Sequence, residues 1–192
     1  MKCKTDDNRT PLSRERQREE TAGCGKVWLV GAGPGDPGLM TLNAWRAIEA
    51  ADVILVYKLV SREIIDSLPQ ATPRIDVGKR KNNHSCTQAY INGLLQAKAE
   101  AGLNVCRLKG GDPFLFGRGA EEAEALAAAR IPFEVVPGVP SAVAAAAYAG
   151  ISLSHRDLAS SIAYLTATES PEKDRTAHDW TKLATATQTL VI

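Results

Sequence analysis

An α/β protein built on a doubly wound, mainly parallel sheet flanked by helices is the fold class that this sequence predicts. Three observations predict it. Short β-branched or leucine-rich runs recur from Lys26 onward, helical segments separate them, and loops bearing glycine and proline follow several of the runs. Strands that alternate with helices mark βαβ units, whose right-handed crossovers lay helices on both faces of a parallel sheet.

Strands are expected near 26–30, 53–57, 73–77, 104–108, 133–136 and 161–166, and helices near 41–51, 61–67, 87–101, 119–129 and 140–149. Val27-Trp28-Leu29-Val30 runs into the glycine-rich loop Gly31-Ala32-Gly33-Pro34-Gly35-Asp36-Pro37-Gly38, and a helical run opens at about Thr41. Val53-Ile54-Leu55-Val56-Tyr57 supplies the second strand, and the third ends at Val77-Gly78. Val105-Cys106-Arg107-Leu108-Lys109 then leads into Gly110-Gly111-Asp112-Pro113 and a charged helix. Glu121, Glu122 and Glu124 stand in the opening turns of that helix, where acids complement the helix dipole. Val136-Pro137-Gly138-Val139 precedes an alanine-rich helix for which Gly150 is a natural C-terminal stop.

The chain has 192 residues, 44% hydrophobic content and a formal net charge of +1, the profile of a globular protein large enough for one full core. Bulk charge points to no nucleic-acid partner. The alanine-rich run 142–147 is too short and too weakly hydrophobic to span a membrane. Cys3, Cys24, Cys86 and Cys106 show no metal-ligand spacing, and neither do His84, His155 and His178, so no metal is expected. Without a signal peptide, a reducing cytoplasm is the expected location.

Residues 1–24 are dense in Arg, Glu, Asp and Thr without an apolar face, and read as a disordered polar tail. Acids interrupt its basic residues throughout, which argues against a nucleic-acid arm. Residues 25–168 form the expected main domain. A polar, proline-bearing stretch over 169–178 reads as a linker, and 179–192 as the start of a second α/β domain, with a short helix from Asp179 and a strand at Thr189-Leu190-Val191-Ile192. A terminal apolar strand with nothing after it implies a truncated chain.

Two loops invite a ligand. Glycines in the segments that follow Val30 and Lys109 let backbone groups come close to a bound molecule, and strand carboxyl ends are where open α/β sheets bind ligands. The spacing Gly33-Pro34-Gly35-Asp36-Pro37-Gly38 formally fits a dinucleotide fingerprint. That reading fails, because Pro34 and Pro37 offer no N–H to a pyrophosphate and no acid ends the second strand to hold a ribose. Ser160 and Ser161 lack the glycine-flanked elbow of a serine hydrolase.

Taken in order, the loop 31–38, Val77-Gly78-Lys79-Arg80, the segment 105–119, Val136-Pro137-Gly138-Val139 and the stretch from Tyr148 to Asp157 resemble the tetrapyrrole methylases over roughly residues 26–170. The resemblance implies S-adenosylmethionine-dependent C-methylation of uroporphyrinogen III at two ring carbons, toward precorrin-2 in sirohaem and cobalamin synthesis. A methylase of another corrinoid precursor and a non-catalytic remnant are the alternatives. By resemblance, Pro34, Gly110, Gly111, Asp112, Leu115, Pro140 and Ser141 contact the methyl donor, and Lys79 is a proton donor. The family commonly has Thr where this chain has Pro140, so a hydroxyl and an N–H are lost there together.

A substrate with eight carboxylates needs several cations, and Arg80, Arg107, Lys109, Arg118 and Arg156 are expected to border its cleft. Three adjacent cations at Lys79-Arg80-Lys81 would otherwise be an ordinary solvated surface. The resemblance also implies a homodimer. One departure stands out: the family's Tyr-Asp-x-Leu-Val-Ser reads here Tyr57-Lys58-Leu59-Val60-Ser61, one residue shorter and without the acid. Loss of a positioned base costs about 10²–10⁴-fold in rate.

Overall fold

Hydrophobic runs buried on both faces set the architecture. In a computed structural model of the chain, which describes residues 23–78, 86–166 and 178–192, strands β1 (Val27–Gly31), β2 (Val53–Val56), β3 (Arg74–Asp76), β4 (Val105–Lys109) and β5 (Phe133–Val136) form one sheet. Its order is β3-β2-β4-β1-β5 and every pairing is parallel. The helices are α1 (Leu42–Glu49), α2 (Arg62–Ser67), α3 (Gln88–Glu100), α4 (Gly119–Ala128) and α5 (Ser141–Tyr148). The polar tail to residue 22, the segment 79–85 and most of the expected linker, 167–177, lie outside the described residues.

Period-two alternation sorts the strand side chains into two cores. Val30, Ile54, Val56, Cys106 and Leu108 pack with Ala44 and Ile48 of α1 and Ile64 of α2. Val27, Leu29, Val53, Leu55 and Val105 pack on the opposite face with Ile91, Leu95 and Ala99 of α3 and Leu126 of α4. A sheet covered on both sides explains why the strands read as continuous apolar runs rather than alternating ones.

Helix boundaries follow local chemistry. The side chains of Thr41, Ser61 and Thr87 accept from Ala44 N, Ile64 N and Tyr90 N, capping α1, α2 and α3. Helix α5 starts at Pro140, which supplies no side-chain cap. It ends as expected: Gly150 lies at φ +69°, and Ile151 N donates to Ala146 O at 2.8 Å.

The strand expected near 161–166 forms, but not in the main sheet. Strand β6 (Ile162–Tyr164) instead pairs in parallel with β7 (Thr189–Val191), which follows helix α6 (Trp180–Ala186). The polar residues beside β6 account for its partner: Ser160 N donates to Gln188 Oε1 at 2.6 Å, and Ser161 Oγ accepts from Gln188 N at 3.0 Å. These bonds tie β6 to the residue just before β7.

The second core predicts a large-to-small penalty. Leu95→Ala, at a side chain with no solvent exposure between α3 and the sheet, should lower unfolding free energy by about 2–5 kcal/mol in urea denaturation. A loss below about 1 kcal/mol would mean that this core is not closed as described.

Candidate active site

Strands β1 and β4 are neighbours, yet β1 leads back toward β2 and α1 on one face, while β4 leads through α4, on the other face, to β5. Their carboxyl ends therefore form a topological switch point, where open α/β sheets leave a crevice. Both glycine-rich loops rise from it. Ala32 N donates to Lys109 O at 2.7 Å, Gly33 N to Gly111 O at 3.1 Å, and Gly111 N to Gly33 O at 2.7 Å.

The loop after β5 closes the same point. A Cβ on Gly31 would lie 2.6 Å from both Gly111 O and Gly138 N, and one on Gly138 would overlap Gly111 O. Only glycine permits this approach. Gly111 differs from these two: it sits at φ +65°, and the direction its Cβ would take is open.

Asp112 organises the loop beyond the glycine pair. Its Oδ1 accepts from Phe114 N at 2.8 Å and Leu115 N at 3.2 Å, and its Oδ2 accepts from Gly138 N at 3.1 Å. The loop carries two left-handed non-glycine residues, Phe116 at φ 54° and Arg118 at φ 56°, and such conformations concentrate at functional sites. Asp36, on the loop after β1, accepts from the hydroxyl of Tyr148 at the end of α5 and from Gly38 N, each at 2.7 Å. Those two bonds, the tyrosine's first, hold the Asp36 carboxyl below its usual range, and the bond from Tyr148 pushes the phenol up.

Behind the crevice lies a buried charge cluster. Glu122 of α4 has no solvent exposure; its Oε1 accepts from Arg107 Nε at 2.9 Å and its Oε2 from Lys109 Nζ at 2.7 Å. Gln88 Nε2 reaches Oε1 at 3.3 Å, and the Arg107 guanidinium lies 5.5 Å from the Tyr57 ring centroid. Burial pushes the Lys109 ammonium down from its ordinary pKa, and the Glu122 charge opposes the shift. Cys106, on the opposite face of β4, is pushed up to about 12 by burial and is a packing residue rather than a nucleophile.

Of the residues expected to contact a methyl donor, Pro34, Gly110, Gly111, Asp112 and Leu115 lie on the two joined loops. Pro140 and Ser141 open α5, directly after the Gly138 contact. The cations divide. Arg107 and Lys109, expected to face substrate, are instead 2% and 4% exposed and paired to Glu122, because they occupy the inward-facing positions of β4 beneath α4. Arg118 is exposed but engaged by Glu121 in two bonds, at 2.8 and 2.6 Å. Arg156 is exposed on the loop between α5 and β6. Lys79 and Arg80 fall in the segment 79–85, outside the described residues.

Sequence reasoning missed Glu122, reading it with its neighbours as a helix-dipole acid. Its signal was spacing: Gly119, Glu122 and Leu126 recur on one stripe of α4, and all three are buried. Among the described residues no cluster of His, Cys, Asp and Glu could hold a metal ion, and no helix is long and apolar enough to cross a membrane.

Residues 26–192 match the family model of the Tetrapyrrole (Corrin/Porphyrin) Methylases. The chain belongs to the tetrapyrrole methylase family. It is 51% identical over 168 residues to the S-adenosyl-L-methionine-dependent uroporphyrinogen III methyltransferase of Methanosarcina barkeri, covering 88% of this chain and 66% of the relative. It is also 51% identical to the siroheme synthase of Nitrosospira multiformis, covering 94% of this chain and 38% of that protein. Among solved structures, the Thermus thermophilus uroporphyrin-III C-methyltransferase complexed with S-adenyl homocysteine aligns with a TM-score of 0.62 and 44% identity, covering 73% of this chain and 58% of the other. This methylase chain thus spans just under two thirds of the first relative and well under half of the second.

The Asp36–Tyr148 bond predicts a pH effect. A carboxylate with a depressed folded-state pKa contributes stability above its unfolded value, near 3.8, and loses it as pH falls through the folded value. In Tyr148→Phe the Asp36 titration, followed by carboxyl NMR, should move up toward its ordinary range, with the Gly38 N–H still lowering it in part. An unmoved titration would show that the hydroxyl does not reach Asp36 in solution.

Proposed function

We propose that this methylase is an S-adenosylmethionine-dependent C-methyltransferase acting on uroporphyrinogen III toward precorrin-2. The observation that carries the reading is the meeting of three glycine-bearing loops at the switch point between β1 and β4, with open space beside Gly111 where a Cβ would stand. The activities named for its relatives agree with it.

The residues present fit the donor. Glycine at these positions lets the backbone of the three loops close together, and the open side of Gly111 leaves room for a molecule laid against it. Pro34, Gly110, Gly111, Leu115, Pro140 and Ser141 would hold it, while Asp112, whose oxygens are bonded within the loops, shapes the site. When bound, S-adenosylmethionine supplies an electrophilic methyl group on a sulfonium. The protein's part is to align a nucleophilic carbon with that methyl and to exclude water, so positioning dominates.

Substrate carboxylates fall to Arg80 and to the exposed cations Arg118 and Arg156, with Lys79 as proton donor; Arg107 and Lys109 support the strand beneath. The Tyr57–Ser61 turn carries no acid, so deprotonation relies on another group or on solvent. The exposed apolar residues Val143, Tyr148, Ile151 and Leu158 support a homodimer, and the free thiols of Cys24, Cys86 and Cys106 suit the cytoplasm.

Incubation with uroporphyrinogen III and S-adenosylmethionine should add methyl groups detectable by mass spectrometry, and S-adenosylhomocysteine should bind by calorimetry. Gly111→Ala should lower the unfolding free energy by about 1–2 kcal/mol, because φ +65° strains an L-residue, and should weaken that binding by filling the open space beside Gly111. Binding without methyl transfer would leave a ligand-binding remnant as the reading. Neither binding nor transfer would overturn it.

A further inference from the structure

Building on the donor-site reading, we propose that Glu122 is a positioning residue for that site, acting through Lys109 on the Gly110-Gly111 turn. Lys109 is the last residue of β4 and immediately precedes the turn. Its carbonyl accepts from Ala32 N at 2.7 Å, and two residues on, Gly111 bridges Gly33. Helix α4 begins where the same loop ends, and Gly119 N donates back to Pro113 O at 3.0 Å. The 2.7 Å bond between Lys109 Nζ and Glu122 Oε2 therefore staples the loop at its base, one partner just before it and the other just after. The second oxygen of the same carboxylate takes Arg107 Nε and Gln88 Nε2, which fixes the staple against β4 and the first turn of α3. Glu122 has no solvent exposure and stands behind the loop, so its effect on a ligand passes through Lys109 and the turn.

Fold stability alone is a poor reason for this cluster. Two buried cations share one carboxylate, and Arg107 Nη1 has no hydrogen-bond partner among the described residues. Removing charges from water can cost more than such an arrangement returns, and well-packed apolar residues of similar volume often stabilise as well or better. What apolar residues do not supply is a directional tie between the two ends of a loop whose backbone carries the ligand contacts.

Three proteins of the full chain decide the matter: the native chain, Arg107→Met/Lys109→Met/Glu122→Leu, and Glu122→Gln. Each is measured for urea midpoint, S-adenosylhomocysteine affinity, and amide hydrogen exchange at Gly33 and Gly111. The triple variant should unfold cooperatively at a midpoint equal to or above the native one. It should nevertheless bind at least tenfold more weakly and exchange the Gly111 amide at least tenfold faster. Native affinity and native exchange in the folded triple variant would overturn the proposal. Should the triple variant not fold, Glu122→Gln decides, since it keeps the shape but loses the charge. A fivefold or greater loss of affinity with native far-UV circular dichroism supports the staple, and unchanged affinity overturns it. A native chain that fails to bind sinks the donor-site reading itself, and the Gly111 exchange rates then decide the staple alone.

Discussion

Three backbone segments have to meet at one point without side chains between them, and the arrangement of the crevice depends on that contact. Gly31 ends β1, Gly111 follows β4 and Gly138 follows β5, and a Cβ on either Gly31 or Gly138 would run into the backbone of the other two glycines. The parallel register brings them there, since Val30 pairs with both Leu108 and Val136. Strand order then turns the contact into a crevice, because the chain leaves β1 and β4 in opposite directions along the sheet. The Gly33–Gly111 bridge, the Asp112 to Gly138 bond and the Asp36 to Tyr148 bond are successive ties among loops that this close approach has already placed.

Charge is distributed with similar economy around the same end of the sheet. The alternation that divides β4 between two cores puts Cys106 and Leu108 on one face and Arg107 and Lys109 on the other. Two cations inside an apolar layer demand an anion, and α4 provides Glu122 from its inward stripe. The surface pairs, Lys26 with Glu134 and Arg62 with Asp66, are exposed and contribute little by comparison.

Much of the fold was legible in the chain because the signals are local. Thr41, Ser61 and Thr87 announce helix starts, Gly150 a helix end, and runs such as Val53-Ile54-Leu55-Val56 a doubly covered strand. The site loops were legible for the same reason, since glycine and proline constrain the backbone wherever they stand. The partner of β6 was not: three residues carry no register, and the bonds that assign β6 to β7 come from Gln188, far along the chain. Nor was the burial of Arg107 and Lys109, because a charged residue on a strand reads as exposed until its counter-ion is known. Glu122 lies on another element, and only the α4 crossing brings it over β4.

The central claim is that the donor binds against backbone where the loops after β1, β4 and β5 converge. Amide chemical-shift mapping of the chain titrated with S-adenosylhomocysteine tests it most directly. The account predicts the largest shifts at Gly33, Gly35, Gly110, Gly111, Leu115 and Ser141, with the α6 and β7 amides unmoved. Shifts concentrated on α6 and β7, or scattered along the outer faces of α1 and α3, would contradict it.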